Sequence, residues 1–315
     1  MESTARGQPT IGSSFVIATR NRPELLLHAV QSLVQQSVLP AELCIVDASE
    51  EAKGQGEVAA LCEAAGVRLD YVHPAPAGLT IQRNLGIDRT TGDPVFFLDD
   101  DAWMAPDVHE EVLAEYGRWG PELGGVRGGW LDPPAQGRLS ILWRRSFGME
   151  TWRPEASGRM RPGFFTDVVT TSADVRRVES FVGWFMSFRR EVFEHERFDE
   201  RLADYAFKED ADFSYRVVKR GYVLVQTPRA SVRHAKSPSQ RLSAFELQRM
   251  NMTNQVYLHR KNMPQDFRHR AALWWGLTGT FLLNLGKVVQ TRDAGWATGM
   301  LAAARDQLSR GRRAR

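Results

Sequence analysis

The sequence predicts an α/β protein, with a mostly parallel sheet covered by helices on both faces and a helical segment at its C-terminal end. Three observations predict it. The first hundred residues alternate short apolar runs with segments whose apolar residues recur every three or four positions. Two of those runs end in carboxylates, at the strand ends where ligands bind in such sheets. The charge-free stretch from Ala271 to Gly286 falls short of the roughly 20 apolar residues that a spanning helix needs, and it contains Thr278, Thr280 and Asn284.

The elements follow in order. "SFVIAT" (14–19) has the length of a buried strand, and "PELLLHAVQSLVQQSV" (23–38) is helical, with Pro23 suited to a first turn. "LCIVDAS" (43–49) is strand-like, "EVAALCEAAGV" (57–67) is a helix ending at Gly66, and "RLDYVH" (68–73) is a short strand. "LTIQRNLGIDRT" (79–90) is helical and "PVFFLDD" (94–100) is a buried strand. Strand–helix repetition of this kind implies parallel pairing. From Leu131 to Glu179 the chain is rich in Pro, Gly, Arg and Trp, and no regular element is expected; such a stretch is usually functional or disordered. Order returns with "SFVGWFMSF" (180–188) as a strand and "EDADFSYRVVKRGY" (209–222) as a helix ending at Gly221. "YVLVQTP" and "ASVRH" read as two further short strands, and Ala271–Gly286 as a core or interfacial helix.

Composition sets the class. With 315 residues, 43% hydrophobic and 25% charged, the chain is an ordinary globular one that can build its core without staples. Cys44 and Cys62 cannot make a disulfide framework and read as buried, reduced thiols. The opening "MESTARGQPTIGS" has no apolar core like that of a signal peptide, so a cytoplasmic location is expected. The net charge of +3 hides an asymmetry: the segment from Asn254 onward carries +8 and the rest −5. A basic, Trp-containing C-terminal segment suits an anionic membrane surface, and equally suits a solvated tail on a core helix. An acidic body and a tail without a recognised fold argue against nucleic acid.

Three constellations carry chemistry. The first is the triplet Asp99, Asp100 and Asp101 at the end of "VFFLDDD". On an extended segment alternate residues share a side, so Asp99 and Asp101 are expected to hold one divalent cation, Mn²⁺ or Mg²⁺, with Asp100 facing the other way. Unrelieved repulsion would raise the pKa of such a cluster, and relief is expected only when cation and ligand arrive. A helix N-cap would use just one Asp. The second is "KEDAD", with Glu209, Asp210 and Asp212, which serves either a helix dipole or a general base. The third is His234, a structural residue or the completion of an oxygen-rich metal site. Asp47 ends its own strand and either binds a ligand or caps the next segment. "GQGEVA" (54–59) stands too far from its strand for a dinucleotide fingerprint, and there is no Walker loop or zinc spacing.

The order of these pieces resembles family 2 glycosyltransferases. "FVIATRNRPELLLHAVQSLVQQSVLPAELCIVDAS" is similar to their opening, "GLTIQRNLGI" to the next element and "FFLDDDAWMAPD" to their metal-binding DXD motif. "VGWFMSFRREVF" and "RFDERLADYAFKEDADFSYRVVKRGYVLVQTPRASVRH" resemble the acceptor-side half, with its ED motif and late histidine. The resemblance implies a GT-A domain over 13–240, divided into a nucleotide-sugar half (13–103) and an acceptor half (104–240), with 241–315 as a basic helical extension. It implies a nucleotide-sugar donor, Mn²⁺ or Mg²⁺, inversion at the anomeric carbon, and a saccharide or lipid-linked acceptor, as in cell-envelope or polysaccharide biosynthesis. Position by position, it assigns Thr19, Arg20, Asn21 and Asp47 to the nucleotide, Arg83 and Asn84 to the donor site, and Asp99, Asp101 and His234 to the metal. Asp100 would face the sugar, and Asp210 beside Glu209 would be the catalytic base. Trp152 and Trp184 are offered to a sugar face of the acceptor, with core packing the other reading of Trp184. The second-strand motif departs from the family in reading "VDAS", which leaves the base preference open. A nucleotidyltransferase would need an early Gly-rich basic loop that is missing here, and a non-catalytic glycan-binding protein would not need three carboxylate positions intact.

Overall fold

A computed structural model describes residues 12–133, 137–153, 156–166, 174–202, 206–235 and 242–313. Parts of the 131–179 stretch, residues 134–136, 154–155 and 167–173, therefore lie outside the described residues, as do the first eleven residues.

The first half folds as its alternation dictates. Strands β1 (Ser14–Thr19), β2 (Glu42–Asp47), β3 (Arg68–Val72) and β4 (Val95–Leu98) are parallel, in the order β3-β2-β1-β4. Helices α1 (Pro23–Val34), α2 (Gln55–Ala65) and α3 (Leu79–Arg89) connect them. Alternate residues divide between the two faces. Phe15, Ile17 and Phe96 pack with α1 and α2 on one side, while Val16, Cys44 and Phe97 pack on the other. Burial pushes both thiols up, Cys44 to about 12 and Cys62 to about 11, as expected of inert core cysteines. The α1 helix stops at Val34, four residues before its apolar pattern does, and Gly66 closes α2 at φ 71°.

The second half is mixed. After β5 (Ala102–Met104) and α4 (Val108–Trp119) come β6 (Leu123–Trp130), α5 (Arg138–Ser146), β7 (Arg176–Val178), β8 (Phe185–Phe188), α6 (Glu209–Lys219) and β9 (Val223–His234). β8 runs antiparallel between β4 and β6, and β6 pairs in parallel with β9. Two expectations are corrected here. The stretch 131–179 holds a helix and a short strand, and "YVLVQTP" and "ASVRH" join into the single strand β9. Its pairing with β6 shifts register beside Pro228, which has no N–H to give a ladder. β7 binds the first part of β9, and β5 binds its end, with Ala102 opposite His234. The chain finishes in α7 (Ala244–Asn262), α8 (Phe267–Thr291) and α9 (Gly295–Arg313).

Candidate active site

The site lies where the parallel strands end. Thr19 ends β1, Asp47 ends β2, and the aspartate triplet follows β4. The triplet occupies a turn between β4 and β5, where the Ala102 amide donates to the Asp99 carbonyl at 3.1 Å. The extended geometry expected of it is therefore absent, yet Asp99 and Asp101 still converge. One oxygen from each and a ring nitrogen of His234 lie within 4.8 Å of one another. His234 reaches the turn because β9 pairs with β5 to its last residue; its Nε2 is 3.1 Å from Asp101 Oδ1. Two hard carboxylates and an imidazole suit Mn²⁺ or Mg²⁺, so the donor set fits such an ion.

Each aspartate of the triplet already has its own cation or donor, which corrects the expectation that only metal and ligand relieve the repulsion. Asp99 accepts from Arg83 Nη2 at 2.9 Å. Asp100 accepts from Thr19 Oγ1 at 2.8 Å and from Arg22 Nη1 at 3.1 Å, and Arg22 is 3.8 Å from Asp101. Burial outweighs these partners at Asp100 and pushes its carboxyl up to about 6.

Arg83 joins the two carboxylate groups. It is 2% exposed; its Nη1 donates to Glu209 Oε1 at 2.6 Å and its Nη2 to the Gly183 carbonyl at 2.9 Å as well as to Asp99. Gly183 in turn donates its N–H to Asp210 Oδ2 at 2.7 Å, and Ala211 N–H donates to Oδ1 at 2.7 Å. A Cβ there would stand 2.8 Å from the Glu209 carboxylate, which would have to move from its place on Arg83. The Glu209–Asp210 pair is pushed upward, by burial first; at Glu209, which reaches about 8, the Asp210 charge comes next. Asp212 belongs elsewhere. It is fully buried and accepts from Lys261 and Asn262 of α7, tying the C-terminal helices to α6. Replacing Arg83 with Met strands the buried Glu209 carboxylate and takes a donor from the half-buried Asp99, so urea denaturation is expected to show a loss of about 3–5 kcal/mol.

The remaining assigned residues divide. Asp47, 2% exposed, accepts from Ser49 N–H at 2.8 Å and from Tyr71 Oη at 2.7 Å, so its visible contacts shape the loop after β2. Asn21, at φ 53°, receives Glu50 N–H on its Oδ1 and donates its own N–H to Ser49, bracing the same loop; Arg20 beside it is exposed. Asn84 does not join the others. Its amide donates to the Phe198 carbonyl and to Glu200, and accepts from Phe198 N–H, so its visible work is to hold that segment against α3. Trp152 is 57% exposed. Trp184 is 2% exposed, stacks on His234 at 6.0 Å and lies under the Arg127 guanidinium at 5.2 Å. Core packing is thus the reading of Trp184 that the geometry favours: it backs the histidine and offers no open ring to a sugar. Its carbonyl also accepts the Asp99 N–H at 3.0 Å.

Sequence reasoning missed Arg22, Gly183, Arg127 and Lys208. Arg127 of β6 is 1% exposed; burial pulls its guanidinium down to about 10, and the Asp210 charge opposes that fall. Lys208, at φ 74°, precedes Glu209, and burial lowers its ammonium to about 7. The one available signal was a cation inside the Gly-rich apolar run "GGVRGGW".

A model of the family described as "Glycosyl transferase family 2" matches residues 14–197, more than half of the chain. The chain belongs to that family. The chain is 30% identical over 104 residues to EpsH of Bacillus subtilis (strain 168), named as a glycosyltransferase, covering 33% of this chain and 30% of that protein. It is 23% identical over 210 residues to the glycosyltransferase EpsJ of the same organism, covering 64% of this chain and 54% of EpsJ. It therefore spans at most about half the length of these curated relatives. Among solved structures it resembles the mannosyltransferase PcManGT from Pyrobaculum calidifontis, in complex with GDP-Man and Mn²⁺. The TM-score is 0.57 at 15% identity, over 94% of this chain and 86% of that one. The chain has the GT-A fold.

Proposed function

We propose that the enzyme is a metal-dependent, inverting transferase that moves a sugar from a nucleoside-diphosphate donor to a hydroxyl of a saccharide or lipid-linked acceptor, in cell-envelope or polysaccharide assembly. The observation that carries this reading is the convergence of Asp99, Asp101 and His234 at the strand ends, joined through Arg83 and Gly183 to Asp210. Mn²⁺ or Mg²⁺ held by Asp99, Asp101 and His234 would supply Lewis-acid stabilisation of the departing diphosphate.

The chain's own residues do the rest. Thr19, Arg20, Asn21 and Asp47 line the nucleotide side, and Arg83 and Asp100 the sugar side. Asp210 takes the proton of the attacking hydroxyl. Two backbone N–H groups fix its carboxylate in place, and positioning of this kind is a large part of such a rate enhancement. Glu209 bound to Arg83 holds the Gly183 cradle in register. The exposed ring of Trp152 is offered to the acceptor. The basic, Trp-containing C-terminal extension meets an anionic membrane surface. A panel of GDP- and UDP-sugars tests the donor reading: at least one is expected to raise the Tm in the presence of Mn²⁺ and not in EDTA. No shift with any of them would count against a nucleotide-sugar site.

A further inference from the structure

We propose that α5 and α8 form one rigid face that docks the chain flat on an anionic lipid bilayer. Among the described residues, eight of the fourteen large exposed apolar side chains belong to these two helices. On α8 they follow a single helical stripe: Phe267 (84% exposed), Trp274 (50%), Leu282 (40%), Leu285 (40%) and Val289 (82%). On α5 the matching residues are Leu139 (83%) and Leu142 (50%), in a helix with no buried residue. Large exposed apolar side chains gathered on two neighbouring helices point to an interaction site.

The two helices are locked together. Trp143 Nε1 donates to the Gly279 carbonyl and Trp275 Nε1 to the Ser146 carbonyl, each at 3.0 Å. Phe147 stacks on Trp275 at 4.7 Å and fills the notch at Gly279, where a Cβ would stand 2.3 Å from its ring.

Charge selects the occupant. α5 carries three arginines, α8 carries two arginines and a lysine, and neither carries an acid. In a symmetric dimer built on this face, cations would meet cations. An anionic bilayer complements both the apolar stripe and its basic flanks. Among the described residues no helix is long and apolar enough to cross a membrane, so the face lies on the surface.

The helix that carries this face reaches the acceptor side with its opposite, buried side. Phe165 packs into the α8 notch at Gly276, and Lys208, the residue before Glu209, lies 5.4 Å from the Phe165 ring. On the transferase reading, which this consequence rests on, an acceptor carried on lipid would meet the site from there.

The test is co-sedimentation of the full chain with phosphatidylcholine vesicles with and without phosphatidylglycerol, in the absence of donor, metal and acceptor. Pelleting only with phosphatidylglycerol, weakened by salt, is expected. Trp274→Ser with Val289→Ser, and separately Leu139→Ser with Leu142→Ser, should each weaken binding by roughly tenfold or more, with an unchanged circular dichroism spectrum. Wild-type chain left in the supernatant, or both double variants pelleting like wild type, would overturn the proposal. So would a solution dimer, seen by sedimentation velocity, that these substitutions dissociate. Because the assay contains no nucleotide sugar, its failure and a failure of the transferase reading are separate results.

Discussion

Replacing Asp210 with Asn is expected to lower turnover by about 10²–10⁴-fold, the usual contribution of a positioned general base, with donor affinity retained. The amide keeps the size of the carboxylate and its oxygen can still accept one of the two backbone N–H groups, from Gly183 or from Ala211, so part of the cradle survives while proton acceptance is lost. The pH profile adds a second signature. Burial raises the Asp210 carboxyl, and a base works only when ionised. Turnover should therefore fall as pH drops through a value well above the ordinary carboxylate pKa of about 4, and level off above it. Arg127 pulls in the opposite direction, its charge favouring the carboxylate. Arg127→Met should move the acidic limb to higher pH, and the limb should vanish from whatever activity Asp210→Asn retains. Steady-state kcat against pH, with KM for the donor, checks all three; near-normal turnover by Asp210→Asn would remove it as the base.

The second large effect is expected at the proposed metal ligands. Asp99→Ala or Asp101→Ala removes one of three converging ligand atoms. Lewis-acid assistance is worth several kcal/mol, so a loss of roughly 10²-fold or more is expected, with weakened Mn²⁺ binding by titration calorimetry. The variants differ in what else they disturb. Asp99→Ala also frees Arg83 Nη2, whereas Asp101→Ala frees His234 Nε2. Loss of Mn²⁺ affinity common to both variants separates the metal role from these private contacts.

Much of this was legible in the sequence, for a physical reason. Parallel strands buried on both faces are continuous apolar runs, so β1, β2 and β4 stand out, and a carboxylate at the end of such a run has few structural uses. The late elements were harder to read. β6 is interrupted by glycines, α5 buries none of its residues, and β9 carries Pro228 in its middle. Their identity comes from pairing and docking partners far away in sequence. The same is true within the site. Arg22 looks like an ordinary helix-terminal cation until the fold sets carboxylates beside it, the link that Arg83 makes between two carboxylates appears only in the fold, and Gly183 is confined because Glu209 closes over it. Asn84 and Trp184 show the converse: residues in motif positions whose visible contacts are structural.

The most direct test of a metal-assisted sugar transfer is the release of nucleoside diphosphate from GDP- and UDP-sugars, followed for the wild type with Mn²⁺, with Mg²⁺ and with EDTA, and for Asp101→Ala with Mn²⁺. At least one donor is expected to yield nucleoside diphosphate with the wild type in Mn²⁺ or Mg²⁺, and EDTA or Asp101→Ala to abolish the release. Donor turnover that EDTA leaves unchanged would contradict this, as would pyrophosphate formed from a nucleoside triphosphate and a sugar phosphate in place of transfer.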